Sequence, residues 1–556
     1  VKTRTALSTS FKITMTNSFD RSKGRPSPLV LIFFGLLFVL GLFIYDDYGI
    51  SVDEAISRDN GMVTLKHVAN IWAPSFVAQD PTFDKVEELA TYHDRDYGIL
   101  FETPVCLLER LLHIDDTREQ YLLRHLMTFL VSFGGVIALY QLGKRRFNDW
   151  RLGLLGAVWL VLSPRLFAEF FYNDKDAVFM ALFAVATNTG VRFLLRPTLG
   201  RAAWHALACM AAIDVRIMGV LLPVLTVSFL VVKVLHGEVK PQTALLTGSL
   251  YLVLTSALVT AFWPYLWPDP AGNLGQAFNN MKNFRWGGQV FYLGESMLAS
   301  EIPWHYALVW ICITTPILYL LGFLLGAGRI MLQFLRRNWR IWQGEQEMQD
   351  VLFLALVVGP LFAVIVFHSV LYDGWRQLYF IYPAMLLIAL RGWLLAWHWR
   401  PSNLGLLSKQ WATTILLLTA VSMGYVLFRM VRAHPYQNVY FNALAGKNIE
   451  NKLEVDYWGL SYLRGLEYIM SVDHRPRIKV RGPDWQPIEL SVGMLPPAER
   501  NRVEVVHSDA DAEYFITNYR WHPEPYTDRN EIKRFEADGL RLYSIFWMPQ
   551  SWWQPN

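Results

Sequence analysis

Long apolar runs alternate with polar connectors along most of the chain. They fall at 29–45, 122–142, 152–166, 177–195, 202–213, 217–232, 245–263, 306–326, 351–371, 378–397 and 411–428. A helix that crosses a bilayer needs about 20 apolar residues, within a range of roughly 17–25. The pattern therefore predicts a polytopic α-helical membrane protein of about eleven spans, of which the third and fifth are short. Residues 54–72 and 104–114 differ in kind, with apolar positions at helical spacing between charges. They are expected to lie along the membrane surface. After residue 428 the pattern changes again. Short β-rich runs at 477–480, 502–506, 513–518 and 540–547, with a helical stretch at 462–470, predict a small α+β domain.

The connectors carry unequal charge. Lys144, Arg145, Arg146 and Arg151, then Arg196 and Arg201, then Lys233 and Lys240, then Arg329, Arg336, Arg337 and Arg340, and lastly Arg400 and Lys409 fall on one face if eleven spans start from a cytoplasmic N-terminus. Positive residues in short loops mark the cytoplasmic side. Merging the fifth and sixth spans would move the Arg329–Arg340 group across the membrane, so both are kept, with Asp214-Val215-Arg216 at their outer turn. This divides the chain into a cytoplasmic segment (1–28), a membrane domain (29–428) with long outer loops at 46–121 and 264–305, and an extracytoplasmic domain (429–556). The first apolar run has basic residues before it, lacks a small-residue cleavage site and ends on Asp46-Asp47. It reads as a retained signal anchor in the inner (plasma) membrane. The chain opens on Val1, so an alternative start codon or another start, with Met15 a candidate, is expected.

Composition supports this picture. Of 556 residues, 18% are charged, against about 25% in soluble domains. A net charge of +4 gives no bulk basic character for nucleic acid. Cys106, Cys209 and Cys312 show no ligand or disulfide spacing and read as small buried residues. No internal repeat of the kind transporters often carry is evident.

Chemistry concentrates in the outer connectors. Asp53-Glu54 follows the first span, either as a solvated helix cap with Asp53 at the N-cap or as a general base at the membrane surface. Tyr172-Asn173-Asp174-Lys175-Asp176, preceded by Arg165 and Glu169, is too dense in ions for a plain turn between apolar spans; Asp176 would also cap the next helix. Arg216 and Arg376, the latter in Asp373-Gly374-Trp375-Arg376, stand where a lipid phosphate would lie and offer fork-shaped donors, although snorkelling anchors are the plainer alternative. Trp267 belongs to an aromatic belt at 262–270 that either anchors the interface or stacks on sugar. His93 and Asp96 are weak candidates for a divalent cation, in a stretch that reads equally as surface charge.

With these residues the chain resembles the GT-C superfamily of membrane glycosyltransferases, in particular family 39-like proteins related to protein O-mannosyltransferases and the lipid A aminoarabinose transferase. The resemblance runs through the eleventh span. It rests on Asp53-Glu54, the long first outer loop and the acid closing the second outer loop at Asp176, with Trp263–Pro270, Leu371–Arg376 and Asp456–Gly459 as further similar stretches. It implies inverting transfer of a sugar from a polyprenyl-phosphate donor to a hydroxyl of a lipid, glycan or protein acceptor. By the same resemblance Asp53 is the base, Glu54 its neighbour and Asp176 the organising acid. Lys175, Arg216 and Arg376 are then expected at the donor phosphate, and Tyr172, Asn173, Trp267, Tyr372 and Asp373 at the sugar or acceptor. No cofactor beyond a divalent cation is anticipated. Asp174 stands where relatives often carry proline. The rival reading is a transporter or flippase of a lipid-linked saccharide, which should place ionisable residues near mid-bilayer.

Overall fold

The structure, a computed structural model, describes residues 27–282, 286–336, 340–399, 406–483, 485–520 and 522–548. The basic segment before residue 27 with Met15, together with Arg337, Arg400 and the Lys409 side chain, lies outside them. Among the described residues eight helices are long and apolar enough to cross a membrane, nine if the bent pair Trp150–Val161 and Pro164–Tyr172 is one span; Pro28–Ile44 and Leu199–Ile213 are shorter apolar helices. Leu, Val and Phe side chains stand exposed along several of them, among them Leu36, Phe43, Leu245, Val253, Leu324, Phe362 and Phe428. That is the surface a bilayer covers and water does not, so the chain is a multi-pass membrane protein.

The helices are not equivalent. In their most apolar 18-residue stretches Arg376–His398 is 83% buried and Asp176–Leu195 72%, whereas Pro241–Phe262 and Ile317–Leu335 are each 28% buried. The first two are thus the central staves and the others face lipid. Close approach at the centre depends on missing side chains: a Cβ at Gly392 would lie 1.9 Å from the Gly322 carbonyl. This is the small-residue packing that lets membrane helices touch at their backbones.

Two expected spans are broken, both by proline. The third bends by 73° after Val161. Pro164 cannot donate into the preceding turn, and the Ser163 hydroxyl bonds instead to the Trp159 carbonyl and to Tyr382 (2.7 and 2.8 Å). The following helix, Pro164–Tyr172, is buried along its whole length, where the pattern placed the end of the third span and a short connecting turn. The eighth is split at Thr315-Pro316 into Tyr306–Thr314 and Ile317–Leu335. Of the cysteines, Cys106 and Cys209 are buried, but Cys312 is exposed on the Tyr306–Thr314 helix, against expectation.

The amphipathic stretches form helices Val52–Trp72 and Glu102–Leu111, which pack on each other. Between later spans a hairpin of β1 (Gln289–Tyr292) and β2 (Glu295–Leu298) turns through Leu293 and Gly294, both at positive φ, as a two-residue hairpin loop requires.

The C-terminal region holds β3 (Ile478–Arg481), β4 (Val503–Val505), β5 (Tyr514–Thr517), β6 (Asn530–Ala537) and β7 (Leu540–Trp547) in the order β4-β3-β5-β7-β6. The β3 pairings are parallel, and those of β7 with β5 and β6 antiparallel. Helices Tyr462–Val472 and Trp485–Met494 accompany the sheet. Ion pairs His434–Asp47 (2.8 Å) and Arg500–Asp116 (3.0 Å), together with an Arg429–Asp538 pair, tie this region and the last span to the rest.

Candidate functional site

The acid pair after the first span divides its work. Ser51 is the N-cap of the Val52–Trp72 helix, and Glu54, at the third helical position, accepts from the Ser51 N–H at 2.8 Å. That is the reciprocal half of a capping box. The Glu54 carboxylate also faces His125 at 3.0 Å. Asp53 is therefore not the N-cap, and its carboxylate points to Arg376 at 2.9 Å.

The same division recurs at the second acidic cluster. The N–H of Asp176 is taken by the Asn173 side chain at 2.6 Å, so the Asp176 carboxylate is spared the capping role. Its two oxygens meet Arg376 at 2.9 Å and Arg216 at 2.5 Å. Asp373 completes the set at 3.1 Å from Arg376. One buried guanidinium thus receives three carboxylates from three separate connectors.

Helix ends explain part of this. Asp176 begins its helix, where the dipole favours an anion; Arg376 begins the 3-10 turn that leads into its span, where the dipole disfavours a cation. The surrounding carboxylates offset that cost. The rings of Tyr372 and Trp458 flank the Arg376 guanidinium at 4.7 and 4.9 Å. Asp373 sits at φ 55° and Gly374 at φ 76°, and the Gly374 N–H bonds to Tyr306 at 3.2 Å. This unusual backbone aims the Asp373 side chain and persists because the loop is held on both sides.

Arg376, Asp176 and Asp373 form a buried floor. Asp53, Arg216 and Arg520 are partly exposed above it, at 23%, 18% and 13% of their side-chain surface. Lys175, also partly exposed, lies over the Tyr97 ring at 4.3 Å. Partial burial alone would raise the Asp53 carboxyl, but Arg376, Lys175, Arg216 and Arg520 outweigh it and hold it below its ordinary value. Asp373 moves the other way, raised by burial against the pull of Arg520 and Arg376. The centre can keep one carboxylate ionised at its mouth while presenting several cations to an anion.

Of the residues anticipated at the sugar or acceptor, Tyr372 flanks the centre and stacks on Trp286 at 4.3 Å, and Asp373 belongs to it. Tyr172 is fully buried beneath, edge-on to Trp458, and Asn173 is buried with it; both act as supports. Trp267 is not part of the cluster. Its ring lies 6.0 Å from that of His67, which is fourteen residues beyond Asp53 on the same helix, or about 20 Å at the α-helical rise. His93 is exposed, 3.9 Å from Asp94, and Asp96 accepts from Asn280 at 2.8 Å. Among the described residues no three His, Cys, Asp or Glu side chains are grouped to hold a metal ion. Where carboxylates do converge, Arg376 fills their centre, so these residues do not fit a divalent cation.

Several residues of the site escaped the sequence reading. Arg124 pairs with Asp174 at 3.1 Å and with Glu102, buried under the centre, which gives the departure from proline at 174 a partner. Its signal was available, since Arg124-His125 interrupts an apolar run. Glu169, by contrast, belongs to the ion-dense cluster that the sequence marks, and it accepts from Asn173 (2.7 Å), Tyr379 (2.8 Å) and Tyr457 (3.1 Å). Trp458 and Arg520 come from the C-terminal region; Trp458 lies in the Asp456–Gly459 stretch of the resemblance, without a role assigned to it, and nothing in the local pattern marks Arg520.

Fold and site together define a multi-pass membrane protein with a buried carboxylate–guanidinium centre closed by its C-terminal region. Among solved structures the chain is similar to the archaeal oligosaccharyltransferase AglB from Archaeoglobus fulgidus in complex with an inhibitory peptide and a dolichol-phosphate. The identity is 10% and the TM-score 0.47, with 88% of this chain and 70% of that one covered. It is also similar to the apo form of the Archaeoglobus fulgidus oligosaccharyltransferase, at 11% identity and TM-score 0.45, with 88% and 66% covered. No family model and no curated protein matches it.

Proposed function

We propose that the chain transfers a sugar from a polyprenyl-phosphate carrier to an acceptor hydroxyl on the extracytoplasmic face, with inversion. The observation that carries this reading is the convergence of Asp53, Asp176 and Asp373 on Arg376, ringed by Arg216, Lys175 and Arg520. With the three acids ionised, the four cations outnumber them, which suits an anionic phosphate brought in beside apolar walls.

In this mechanism Asp53 is ionised at neutral pH and removes the proton of the acceptor hydroxyl. The acceptor oxygen forms its bond to the anomeric carbon from the side opposite the carrier. The bond from that carbon to the phosphate oxygen breaks, and its electron pair stays on the phosphate, which leaves with one more negative charge. Arg216, Arg376 and Lys175 stabilise that developing charge. Asp176 holds Arg216 and Arg376 in place, and Glu54 fixes the first turn from which Asp53 projects.

The test is mass spectrometry of envelope lipids and glycans from cells with the wild-type chain, without it, and with Asp53→Asn. The expected outcome is one sugar mass missing from one acceptor in the last two alike. A wild-type product pattern with Asp53→Asn would end the reading and turn attention to carriage of a lipid-linked saccharide.

A further inference from the structure

We infer that Arg520, supplied by the C-terminal region, is a positioning residue of the phosphate centre: it neutralises Asp373 so that Arg376 and Arg216 remain available to a prenyl-linked phosphate. This rests on the reading above and adds to it a role for a part of the chain that the site's other ions do not require.

The geometry is specific. One terminal nitrogen of Arg520 donates to an Asp373 oxygen at 2.8 Å, and the other donates to the Tyr457 carbonyl at 2.5 Å. Arg376 takes the remaining Asp373 oxygen at 3.1 Å. The two guanidinium groups therefore share one carboxylate, one from the membrane bundle and one from the C-terminal region. The segment bearing Arg520 is fixed in turn, because the Asn518 amide donates to the Asp456 carbonyl at 2.7 Å and Asn518 also bonds the Tyr462 hydroxyl. Tyr457, whose carbonyl Arg520 holds, precedes Trp458, the ring that covers Arg376.

Charge explains why such a residue is needed. Three carboxylates around a single buried guanidinium leave two uncompensated, and unpaired buried charge is strongly unfavourable. Arg216 answers Asp176, and Arg520 answers Asp373. Glu454, the acid 3.9 Å from Arg520, competes for it weakly: it is farther away than the Asp373 oxygen at 2.8 Å, and burial raises its carboxyl against the pull of Arg520. Without Arg520 the Asp373 carboxylate would bind Arg376 alone and repel an incoming phosphate. The C-terminal region is on this view a component of the donor site.

The probe is farnesyl phosphate, titrated calorimetrically into the purified full-length protein in detergent. Arg520→Ala should weaken binding by about tenfold or more, the usual scale for removing one partner of a buried charge pair. Arg520→Ala combined with Asp373→Asn should recover most of the loss, because the orphaned charge is gone. An arginine that only held the fold would gain nothing from the second substitution. Arg520→Ala binding as tightly as wild type, or a double variant no better than the single one, would overturn the inference. If Arg520→Ala does not fold, Arg520→Gln, which keeps a donor for the Tyr457 carbonyl but no charge, takes its place with the same two outcomes. Wild-type protein that fails to bind farnesyl phosphate removes the donor reading itself, and this inference with it; intact binding in Asp53→Asn with product lost leaves both standing.

Discussion

Two buried arginine–aspartate clusters lie at opposite ends of the same helix bundle, and they are built to opposite rules. At one end Asp350 is gripped by Arg146 through two bonds of 2.5 and 2.6 Å and also pairs with Arg391. One acid there joins three helices, Thr117–Phe147, Glu345–Val366 and Tyr382–His398. At the other end one arginine, Arg376, is shared by three acids, with further cations around them and one acid, Asp53, at a partly exposed rim. The first arrangement saturates its acid and ties helices. The second leaves a carboxylate and several cations facing outward, with aromatic rings beside them. Burial and ion pairing are common to both, so neither property marks a site by itself; unshared capacity at an opening does.

The sharpest way to break this comparison is a matched pair of substitutions. Asp53→Asn should reduce transfer by about a thousandfold or more, within the range for a lost general base, and lower the melting temperature of the purified protein only slightly, because its ion pair with Arg376 lies at a partly exposed rim. Asp350→Asn should do the reverse. Removing one member of a buried ion pair costs about 3–5 kcal/mol, seen as a lower thermal midpoint in detergent, while turnover per folded molecule stays near wild type. If Asp350→Asn also removed turnover from folded protein, or if Asp53→Asn unfolded it, the two ends would not differ in the way described.

What the sequence disclosed follows from how each feature is encoded. Apolar runs are local and long, so most of their length falls on helix, although among the described residues only eight helices, nine with the bent pair, are long and apolar enough to cross a membrane. Their breaks were missed where a single proline, Pro164 or Pro316, overrides a run that is otherwise apolar. In the C-terminal region β3, β4, β5 and β7 follow from short apolar runs, whereas β6 (Asn530–Ala537) carries Glu531, Lys533, Arg534 and Glu536 on an edge strand and hides in its own charge. The site divided similarly. Asp53, Asp176, Arg216 and Arg376 stand at the ends of apolar runs, where an ion is conspicuous. Trp458 stood in the Asp456–Gly459 stretch of the resemblance without a role, Arg520 stands in polar sequence, and only the fold brings the two to Arg376. Trp267 shows the converse: its belt was open to interface anchoring or to sugar stacking, and the ring lies beside His67 along the helix, apart from the Arg376 cluster.

A smaller effect tests whether the two halves of the centre depend on each other. Gly49 lies just before the Ser51 cap, and a Cβ there would come within 2.2 Å of the Leu460 carbonyl in the C-terminal region. Because the obstacle is backbone, relief requires the two segments to separate. Gly49→Ala should cost about 1–3 kcal/mol, as overpacking commonly does. It should also lower turnover, since Asp53 follows on one side and Trp458 precedes on the other. Limited proteolysis of the C-terminal region alongside turnover would show whether the two losses rise together. Turnover preserved with a loosened C-terminal region would mean that Trp458 and Arg520 are dispensable.

The finest distinction concerns pH. Partial burial raises Asp53, yet Arg376, Lys175, Arg216 and Arg520 together hold it below its ordinary value of 3.8. A depressed carboxylate is already ionised at neutral pH, so turnover should be flat from neutral into mildly acid solution and fall only below the usual carboxylate range. Its share of stability behaves alike: present above the unfolded value, lost as pH drops through the folded one. Arg216→Gln removes one of the lowering charges, so the acid limb of the pH–rate profile should move to higher pH. Donor affinity should fall as well, because Arg216 faces the donor phosphate and its loss leaves the buried Asp176 to Arg376 alone. Asp350 offers the control, since replacing it should leave the limb where it was. An acid limb unmoved by Arg216→Gln would mean that Asp53 does not feel the cations around it, and the rim would then be no different in kind from the saturated pair at the far end.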